Sequence, residues 1–229
     1  MQGTLMINRP IVYSATAQEF VDTFNGDASH WDGTCAVRKA FRKEVRDYYR
    51  DEQEFTCPYC GRLREEFHGG QWDIDHIIPK SSYPQYLYTP RNLAVTCKDC
   101  NTHKSKKNPL LITLDSGAPY PENTVSYKII HPHFDSYNEH ITLRKDKKGR
   151  SYHEVITDKG RETFLMCNLI RFSEVICGTS EFIPELGTEI GITNSFSESV
   201  QVWLADYDDL NPVDAEIALQ ALMQKISLR

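Results

Sequence analysis

The sequence contains no apolar run that approaches the roughly 18 residues of a membrane-spanning helix, so an integral membrane protein is not expected. It has no glycine-rich phosphate-binding loop, which excludes a P-loop ATPase activity for this chain. Internal repeats and low-complexity segments are also missing. The first apolar stretch closes at Arg9 and Pro10 and makes a poor signal peptide. For 229 residues we therefore expect one large or two small domains in a cytoplasmic protein.

Basic residues are missing from one long part of the chain, because residues 174–224 contain ten acidic residues and no lysine or arginine. Residues 1–173 hold 24 Lys+Arg against 22 Asp+Glu, a balance of +2, whereas residues 174–229 hold 2 against 10, a balance of −8. The net charge of −6 therefore does not exclude a nucleic-acid enzyme. The acidic quarter is either a solvated face or a segment that docks a partner or restrains the protein.

Periodicity and capping residues predict a small set of helices and strands. A short helix capped by Ser14 or Thr16 is expected to end near Phe24, before Asn25-Gly26. Later predictions comprise strands at 125–130, 141–145 and 152–157, a helix from Asp158 to about Arg171 that buries Phe164, Leu165 and Leu169, and a terminal amphipathic helix at 214–228.

A longer helix is predicted from about Cys35 to Gln53, with Asp32 or Thr34 as its cap. Its apolar stripe consists of Val37, Phe41, Val45 and Tyr48. The neighbouring sector of the helical wheel is entirely basic, and its residues are Arg38, Lys39, Arg42, Lys43, Arg46 and Arg50. This segregation favours a phosphate-facing surface, with an ion-paired surface helix as the alternative.

Seven cysteines are an odd number for a disulfide framework, so metal binding or chemistry is the better interpretation. Cys57 and Cys60 form one Cys-x-x-Cys pair, and Cys97 and Cys100 form a second. Two such pairs complete a closed tetrahedral shell of four thiolates, which predicts a structural zinc ion. The 36 residues between the pairs leave room for a functional insert. The three other cysteines, which we interpret as ordinary buried thiols, are Cys35, Cys167 and Cys177.

The insert contains an Asp-His pair flanked by apolar residues, in the sequence Trp72-Asp73-Ile74-Asp75-His76-Ile77-Ile78-Pro79-Lys80. Arg91-Asn92-Leu93 follows, and Asn101 comes directly after the last cysteine of the pairs. Because the zinc brings the ends of the insert together, Asp75 and Asn101 can approach one divalent cation beside His76. A neutral histidine can take a proton from water near neutral pH, and Mg²⁺ prefers oxygen ligands.

This order of elements resembles the HNH endonuclease family over about residues 55–109. The resemblance implies an α+β fold: a ββα-metal core stapled by the four-cysteine zinc site, with a helical N-terminal extension and a mixed α/β C-terminal one. It implies that His76 is the general base, that Asn92 orients it, and that Asp75 and Asn101 bind Mg²⁺ or a similar ion. His103 is an alternative metal or phosphate ligand. The predicted nucleic-acid contacts are Lys80, Lys104, Lys106, Lys107, Arg38, Arg42 and Arg46.

The segment Tyr127 to Ile141 is similar to the region after the core in HNH nucleases of Septu-type antiphage systems and some retron-associated ones. That similarity implies an ATPase partner of the Septu type, with a retron reverse transcriptase and its DNA as a further partner. His131, His133 and Asp135 are better interpreted as a structural turn than as a second metal site. The expected regions are 1–54 (helical, basic), 55–112 (nuclease core), 113–173 (mixed extension) and 174–229 (acidic, helical).

Two classes of function remain after this comparison. The preferred one is a metal-dependent nuclease in antiviral defence, acting on DNA in preference to RNA or tRNA. The alternative is a non-catalytic zinc module that binds nucleic acid or a protein, with Asp75 and His76 as structural residues. A zinc deaminase is excluded, because the His-x-Glu and Pro-Cys-x-x-Cys pair that it requires is missing.

Overall fold

The computed structural model describes residues 6–65, 70–115, 117–145 and 151–172. Its helices are α1 (Ala15–Asp22), α2 (Ala36–Glu52), α3 (Lys98–Lys104) and α4 (Asp158–Met166). Strands β1 (Trp72–His76) and β2 (Leu93–Cys97) pair antiparallel in one sheet, and β3 (Ile141–Lys145) and β4 (Ser151–Val155) pair antiparallel in another. Short 3-10 turns lie at Ala28–Trp31, Pro84–Tyr86, Pro90–Asn92, Thr124–Ser126 and Tyr137–Glu139. This mixture confirms the α+β class.

The two N-terminal helices are present where they are predicted. The Ser14 side chain caps α1 by accepting a hydrogen bond from the Ala17 amide. Helix α2 starts after Cys35, which makes no side-chain cap, so the prediction of Asp32 or Thr34 as its cap is wrong. The core side of α2 is Phe41, Val45 and Tyr49.

The predicted apolar stripe of α2 needs a correction at both ends. Val37 is 51% exposed, because it lies in the first turn, beyond the edge of the core. Tyr49 rather than Tyr48 is fully buried, and its hydroxyl accepts from the Ile11 amide at 3.1 Å. The helix therefore packs with Phe41, Val45 and Tyr49 towards the core, four residues apart.

The β1–β2 pair is a two-stranded sheet whose second strand is buried along its whole length. Buried backbone groups on the outer side of β2 need partners, and side chains provide them. The Gln53 amide accepts from Val95 N at 2.9 Å and donates to Val95 O at 2.5 Å. His133 Nε2 donates to Leu93 O at 2.8 Å. Helix α3 follows β2 without a loop, which gives the predicted ββα order.

The region after the core agrees only in part with the sequence prediction. The expected strand at 125–130 is wrong: Thr124–Ser126 is a 3-10 turn, and the described backbone around it forms only an isolated bridge between Leu110 and Tyr127. The Asn123 side chain accounts for this, because its Oδ1 accepts from both the amide and the hydroxyl of Ser126 and so favours a turn.

The second hairpin and α4 are close to their predicted positions. Strand β4 ends at Val155, two residues before the predicted end, and Thr157 rather than Asp158 is the N-cap of α4. Helix α4 ends at Met166, short of the predicted Arg171, because Asn168 adopts a φ of 52° and breaks the helix. The acidic region at 174–229, including the helix predicted at 214–228, lies outside the described residues. No helix among the described residues is both long enough and apolar enough to cross a bilayer.

Candidate active site and zinc centre

The four cysteines of the two predicted pairs meet in one buried cluster. Cys57 and Cys60 lie in the turn after α2, Cys97 ends β2, and Cys100 lies in the first turn of α3. Their sulfur atoms all lie within 4.8 Å of one another, and Sγ of Cys60 is 4.0 Å from Sγ of Cys97. A tetrahedral zinc ion with Zn–S bonds of about 2.3 Å places its sulfur atoms roughly 3.8 Å apart. The cluster therefore fits zinc.

The electrostatics of the cluster are compatible with a bound cation. Burial raises the pKa of the Cys57 thiol well above its ordinary value, so Cys57 ionises only if positive charge compensates it. Arg171 supplies part of that charge, because its Nη2 donates to Sγ of Cys100 at 3.0 Å. The Cys97 amide donates to Sγ of Cys57 at 3.4 Å. A divalent ion would satisfy the remaining charge of the thiolates and tie three chain segments together.

The other cysteines divide into two kinds. Cys167 is buried, as predicted. Cys35 is exposed, so the prediction of a buried thiol is wrong there: the residue precedes α2 at the surface. The Arg38 backbone amide lowers the pKa of the Cys35 thiol. Cys177 lies outside the described residues.

His76 ends β1 and is almost fully buried. Its Nε2 donates to the carbonyl oxygen of Leu87 at 3.1 Å. The ring packs edge-to-face with that of Trp31, with centroids 4.4 Å apart. Because Nε2 carries the proton, Nδ1 holds a lone pair that accepts no hydrogen bond from any described residue. Burial lowers the pKa of His76 to about 4, which keeps the ring neutral at pH 7.

Asn92 holds the two segments on which the geometry of His76 depends. Its Oδ1 accepts from Ile78 N at 2.7 Å, and its Nδ2 donates to the carbonyls of Ile78 (3.1 Å) and Tyr86 (3.0 Å). The side chain is completely buried. The loop that carries Leu87 is thereby fixed to the chain just after β1.

Three further side chains, not singled out from the sequence for this role, support the same loop. They bind nearby backbone carbonyls: Tyr49 OH donates to Pro90 O (2.7 Å), Tyr120 OH to Arg91 O (3.0 Å), and His133 Nε2 to Leu93 O (2.8 Å). The carbonyl of Asn92, which lies between those of Arg91 and Leu93 in the chain, accepts from Ile77 N at 2.9 Å. Nothing in the local sequence marks Tyr49 or Tyr120 for this task, because their partners are distant in the chain.

The turn of His131, His133 and Asp135 is structural in this conformation. His131 N donates to Asp135 Oδ2 at 2.7 Å, and His131 Nε2 contacts the Tyr120 hydroxyl at 2.8 Å. Nδ1 of His131 accepts from the His133 amide at 3.1 Å. Both ring nitrogens of His131 are therefore in use. Among the described residues, the four cysteines are the one group of three or more histidine, cysteine or acidic side chains whose ligand atoms lie close enough together to hold a metal.

Asp75 lies on the α3 side of β1 and is paired with a buried lysine. Its Oδ1 accepts from Lys104 Nζ at 2.9 Å and its Oδ2 from Tyr59 OH at 2.7 Å. Lys104 is completely buried and also donates to His76 O at 2.9 Å. In this conformation the ammonium group of Lys104 is therefore bound to Asp75 and the strand, and the predicted phosphate contact would require it to leave them.

Asn101 contacts a carboxylate that the sequence interpretation did not select. Its Nδ2 donates to Asp73 Oδ2 at 3.1 Å. Asp73 and Asp75 lie on the same face of β1, because side chains two residues apart in a strand share a face. The Asp-x-Asp spacing was the available signal for Asp73. His103, two residues after Asn101 on α3, contacts Asn168 instead, with Nε2 and Nδ2 3.4 Å apart.

The predicted nucleic-acid contacts fall into two groups. Lys106 and Lys107 are exposed after α3, and Lys107 Nζ donates to Met166 O at 3.0 Å. Arg46 is half-buried on α2, and its Nε has no partner among the described residues. The second group is held by the chain segment that precedes α2, and it consists of Arg38, Arg42 and Lys80.

Comparisons with known proteins agree with this core. The HNH endonuclease family model matches residues 57–107, which contain the cysteines of the cluster, His76, Asn92 and Asn101. Septu protein PtuB of Bacillus thuringiensis is 32% identical over 111 residues, 44% of this chain and 35% of that protein. Protein ea31 of Escherichia phage lambda is 37% identical over 62 residues, 26% of this chain and 19% of that protein. No solved structure matches.

The chain thus spans about a third or less of the length of these curated relatives. The match of residues 57–107 to the HNH endonuclease family model confirms the family resemblance of the sequence. The similarity to a Septu protein agrees with the second, narrower resemblance.

Proposed function

We propose that this protein is a metal-dependent HNH endonuclease that hydrolyses phosphodiester bonds of nucleic acid. The observation that carries the proposal is the setting of His76 within the matched region: Nε2 donates to Leu87 O, so Nδ1 keeps an unprotonated lone pair that can accept a proton. A base must be unprotonated to act, and the lowered pKa of His76 keeps it so at neutral pH.

In this mechanism Nδ1 of His76 removes a proton from water as the water oxygen attacks phosphorus. The P–O bond to one sugar oxygen breaks, and that oxygen leaves with a proton from solvent. Asn92 and the Leu87 carbonyl hold the imidazole in one tautomer and one orientation, so no reorganisation is needed when the proton moves. We assign Asn92 as a positioning residue, because it acts through the Leu87 loop rather than on the substrate.

The oxygen-bearing side chains on the α3 side of β1 suit a hard divalent cation such as Mg²⁺. Asp75 and Asn101 remain the proposed ligands, and the contact of Asn101 with Asp73 supports Asp73 as a third. Such an ion would stabilise the negative charge that develops on the phosphate oxygens. Lys104, which now neutralises Asp75, would have to give up part of that contact.

The cysteine cluster is proposed to bind zinc for stability alone. Four protein ligands close the tetrahedral shell and leave no position for water or substrate. Its thiolates suit a reducing compartment, which supports the cytoplasm as the location of the protein.

The similarity to the Septu protein PtuB supports a role in antiphage defence. We propose that the chain supplies the nuclease of a complex whose ATPase is a separate protein of the Septu type, because no nucleotide-binding loop is present here. A retron reverse transcriptase with its DNA is a further proposed partner. DNA is the preferred substrate over RNA or tRNA.

The test is a cleavage assay of the full-length, zinc-loaded protein on DNA and RNA, with Mg²⁺, Mn²⁺ or EDTA. We expect cleavage that requires the divalent ion, is lost in His76→Ala and persists in His140→Ala, a histidine that contacts Thr157 outside the site. Circular dichroism and zinc content should match the wild type in both variants. A wild-type protein that binds nucleic acid or a partner but cleaves nothing would instead identify a zinc-binding module.

A further inference from the structure

The segment that precedes α2 covers the catalytic histidine. Residues 31–34, here called the Trp31 segment, connect His30 to the start of α2. His30 is anchored, because its Nδ1 lies 2.6 Å from the Tyr88 hydroxyl and its ring stacks on Phe20. Trp31 contacts the ring of His76, with the two centroids 4.4 Å apart. The segment is therefore fixed at His30 and at α2 and lies over the proposed base between them.

The same part of the chain accepts hydrogen bonds from three of the basic side chains that the sequence analysis assigns to phosphate binding. Lys80 Nζ donates to both carboxylate oxygens of Asp32, at 2.8 and 3.0 Å. Arg38 Nε donates to His30 O at 2.8 Å, and Arg42 Nη2 donates to Gly33 O. These acceptors lie in residues 30–33, although two of the donors lie on α2 and one follows β1. Longer contacts of the same three side chains reach Ala28 O, Cys35 Sγ and Arg38 O.

The contact between Asp32 and Lys80 has the chemistry of a replaceable phosphate contact. A carboxylate with two oxygens on one ammonium group presents negative charge and acceptor atoms much as a phosphate does. The Asp32 side chain is 62% exposed and that of Lys80 28%, so solvent reaches the pair. Exposed pairs of this kind are weak, and a polyanion can displace one partner.

Gly33 lets the Trp31 segment change direction. Its φ of 94° lies in the region that other residues rarely adopt, and a Cβ at this position would lie 3.3 Å from Arg38 Nη1. Glycine thus leaves the backbone between Trp31 and α2 less restricted than any other residue would.

We infer that Lys80, Arg38 and Arg42 form a binding surface for the nucleic-acid backbone beside His76, and that Asp32 occupies it in the free protein. The inference rests on the proposed nuclease function and specifies which residues beside His76 bind the backbone of the substrate. A backbone phosphate replaces the Asp32 carboxylate on Lys80, and the Trp31 segment then yields access to the base. The free nuclease is thus restrained by its own carboxylate.

The experiment measures equilibrium binding of a fluorescent DNA duplex by anisotropy, with the full-length, zinc-loaded protein in a His76→Ala background. Asp32→Asn keeps the shape of the side chain and removes its charge. We expect binding about twofold to fivefold tighter, the strength of one exposed ion pair. The slope of log affinity against log salt should steepen by about 0.9 for each additional phosphate that the protein neutralises.

Two further variants separate local competition from net charge. Asp22→Asn removes an exposed carboxylate on α1 that contacts Gln18, and it should leave the affinity nearly unchanged. Lys80→Gln should weaken binding, and Asp32→Asn should then have no further effect in the Lys80→Gln protein. An equal gain from Asp32→Asn with or without Lys80 would overturn the inference, as would weaker binding by Asp32→Asn alone.

Cleavage by the proteins that retain His76 distinguishes the two proposals. Asp32→Asn should raise kcat/KM by lowering KM. If wild type cleaves and Asp32→Asn does not improve binding, the nuclease assignment stands and the self-occupied surface is wrong. If neither protein binds or cleaves nucleic acid, both proposals fail.

Discussion

Buried polar side chains carry much of the chemistry of the site, and each has a specific partner. Lys104 and Asp75 form an ion pair with almost no solvent contact, at 2.9 Å. Removing one member of such a pair leaves an uncompensated charge, which costs about 3–5 kcal/mol. The pair therefore links the stability of the ββα core to the strand that carries His76.

Lys104→Ala is expected to lower the free energy of unfolding by several kcal/mol, because Asp75 then stays buried without its cation. Urea denaturation measures this. Lys106→Ala, at an exposed position two residues later, should change stability by less than about 0.5 kcal/mol. The reverse pattern, with a stable Lys104→Ala protein that only binds DNA more weakly, would restore the original assignment of Lys104 to phosphate.

Residue identities and spacings predict the metal-binding cysteines well, because two closed Cys-x-x-Cys turns supply the four thiolates of a tetrahedral zinc site. They do not predict that Lys104 is buried, since lysine is a surface residue in most proteins and its partner Asp75 lies 29 positions away. They also miss the contact of Asn101 with Asp73. Both facts depend on how α3 packs on β1, which is a property of the tertiary structure.

The β1–β2 hairpin depends on elements outside it for its stability. Zinc would join its second strand to the turn after α2, while Gln53 and His133 bind the outer edge of β2. A two-stranded sheet alone is marginal in water, so these external supports define the element. The segment 125–130, which was wrongly predicted as a strand, also depends on a residue outside it. The hydrogen bond from Ser126 N to the Asn123 side chain favours a turn there, despite the apolar pattern.

Cys97→Ser should lose zinc and folding together, because Cys97 ends β2 and begins α3. Zinc content by atomic emission and secondary structure by circular dichroism check this. Cys35→Ser is the matched control at an exposed cysteine, and it should keep both. A folded Cys97→Ser protein without zinc would show that the cluster is dispensable.

His133 makes the hairpin sensitive to acid. Burial lowers the pKa of His133 from 6.5 to about 4, so the unfolded chain takes up a proton that the folded protein does not. The contribution of His133 to the free energy of unfolding is fully present above pH 6.5. It is lost as the pH falls towards 4, and the total loss is roughly 3 kcal/mol. His133→Gln keeps a donor for Leu93 O but does not titrate.

Urea denaturation of wild type and His133→Gln between pH 7.5 and 4.5 tests this prediction, with both proteins carrying the same zinc site. The difference in unfolding free energy should shift in favour of the variant as the pH falls. A constant difference across the range would mean that His133 titrates alike in the folded and unfolded states.

The whole molecule separates its charges along the chain. Residues 35–112 carry 14 Lys+Arg against 10 Asp+Glu, a balance of +4, whereas residues 174–229 have a balance of −8. Lys80, Arg38 and Arg42 all bind the segment that covers His76. The proposed binding surface is thus basic in a protein of net negative charge, and net charge alone is a poor guide to function.

Deleting the residues after Glu174 should strengthen DNA binding at low salt, because it removes nine acidic residues and only two basic ones. The gain should fade as added salt screens the charges. Loss of binding to an ATPase partner in the same protein would assign docking to this region. Unchanged affinity and unchanged partner binding, with the core still folded, would leave it a solvated surface.

Chemical rescue tests whether the imidazole of His76 is the base of a nuclease. His76→Gly removes the ring from the end of β1, so DNA cleavage in Mg²⁺ should fall by at least about a hundredfold. Added imidazole should restore part of that rate in His76→Gly and none in a Cys97→Ser protein. A His76→Gly protein that cleaves as fast as wild type without imidazole would show that His76 is not the base.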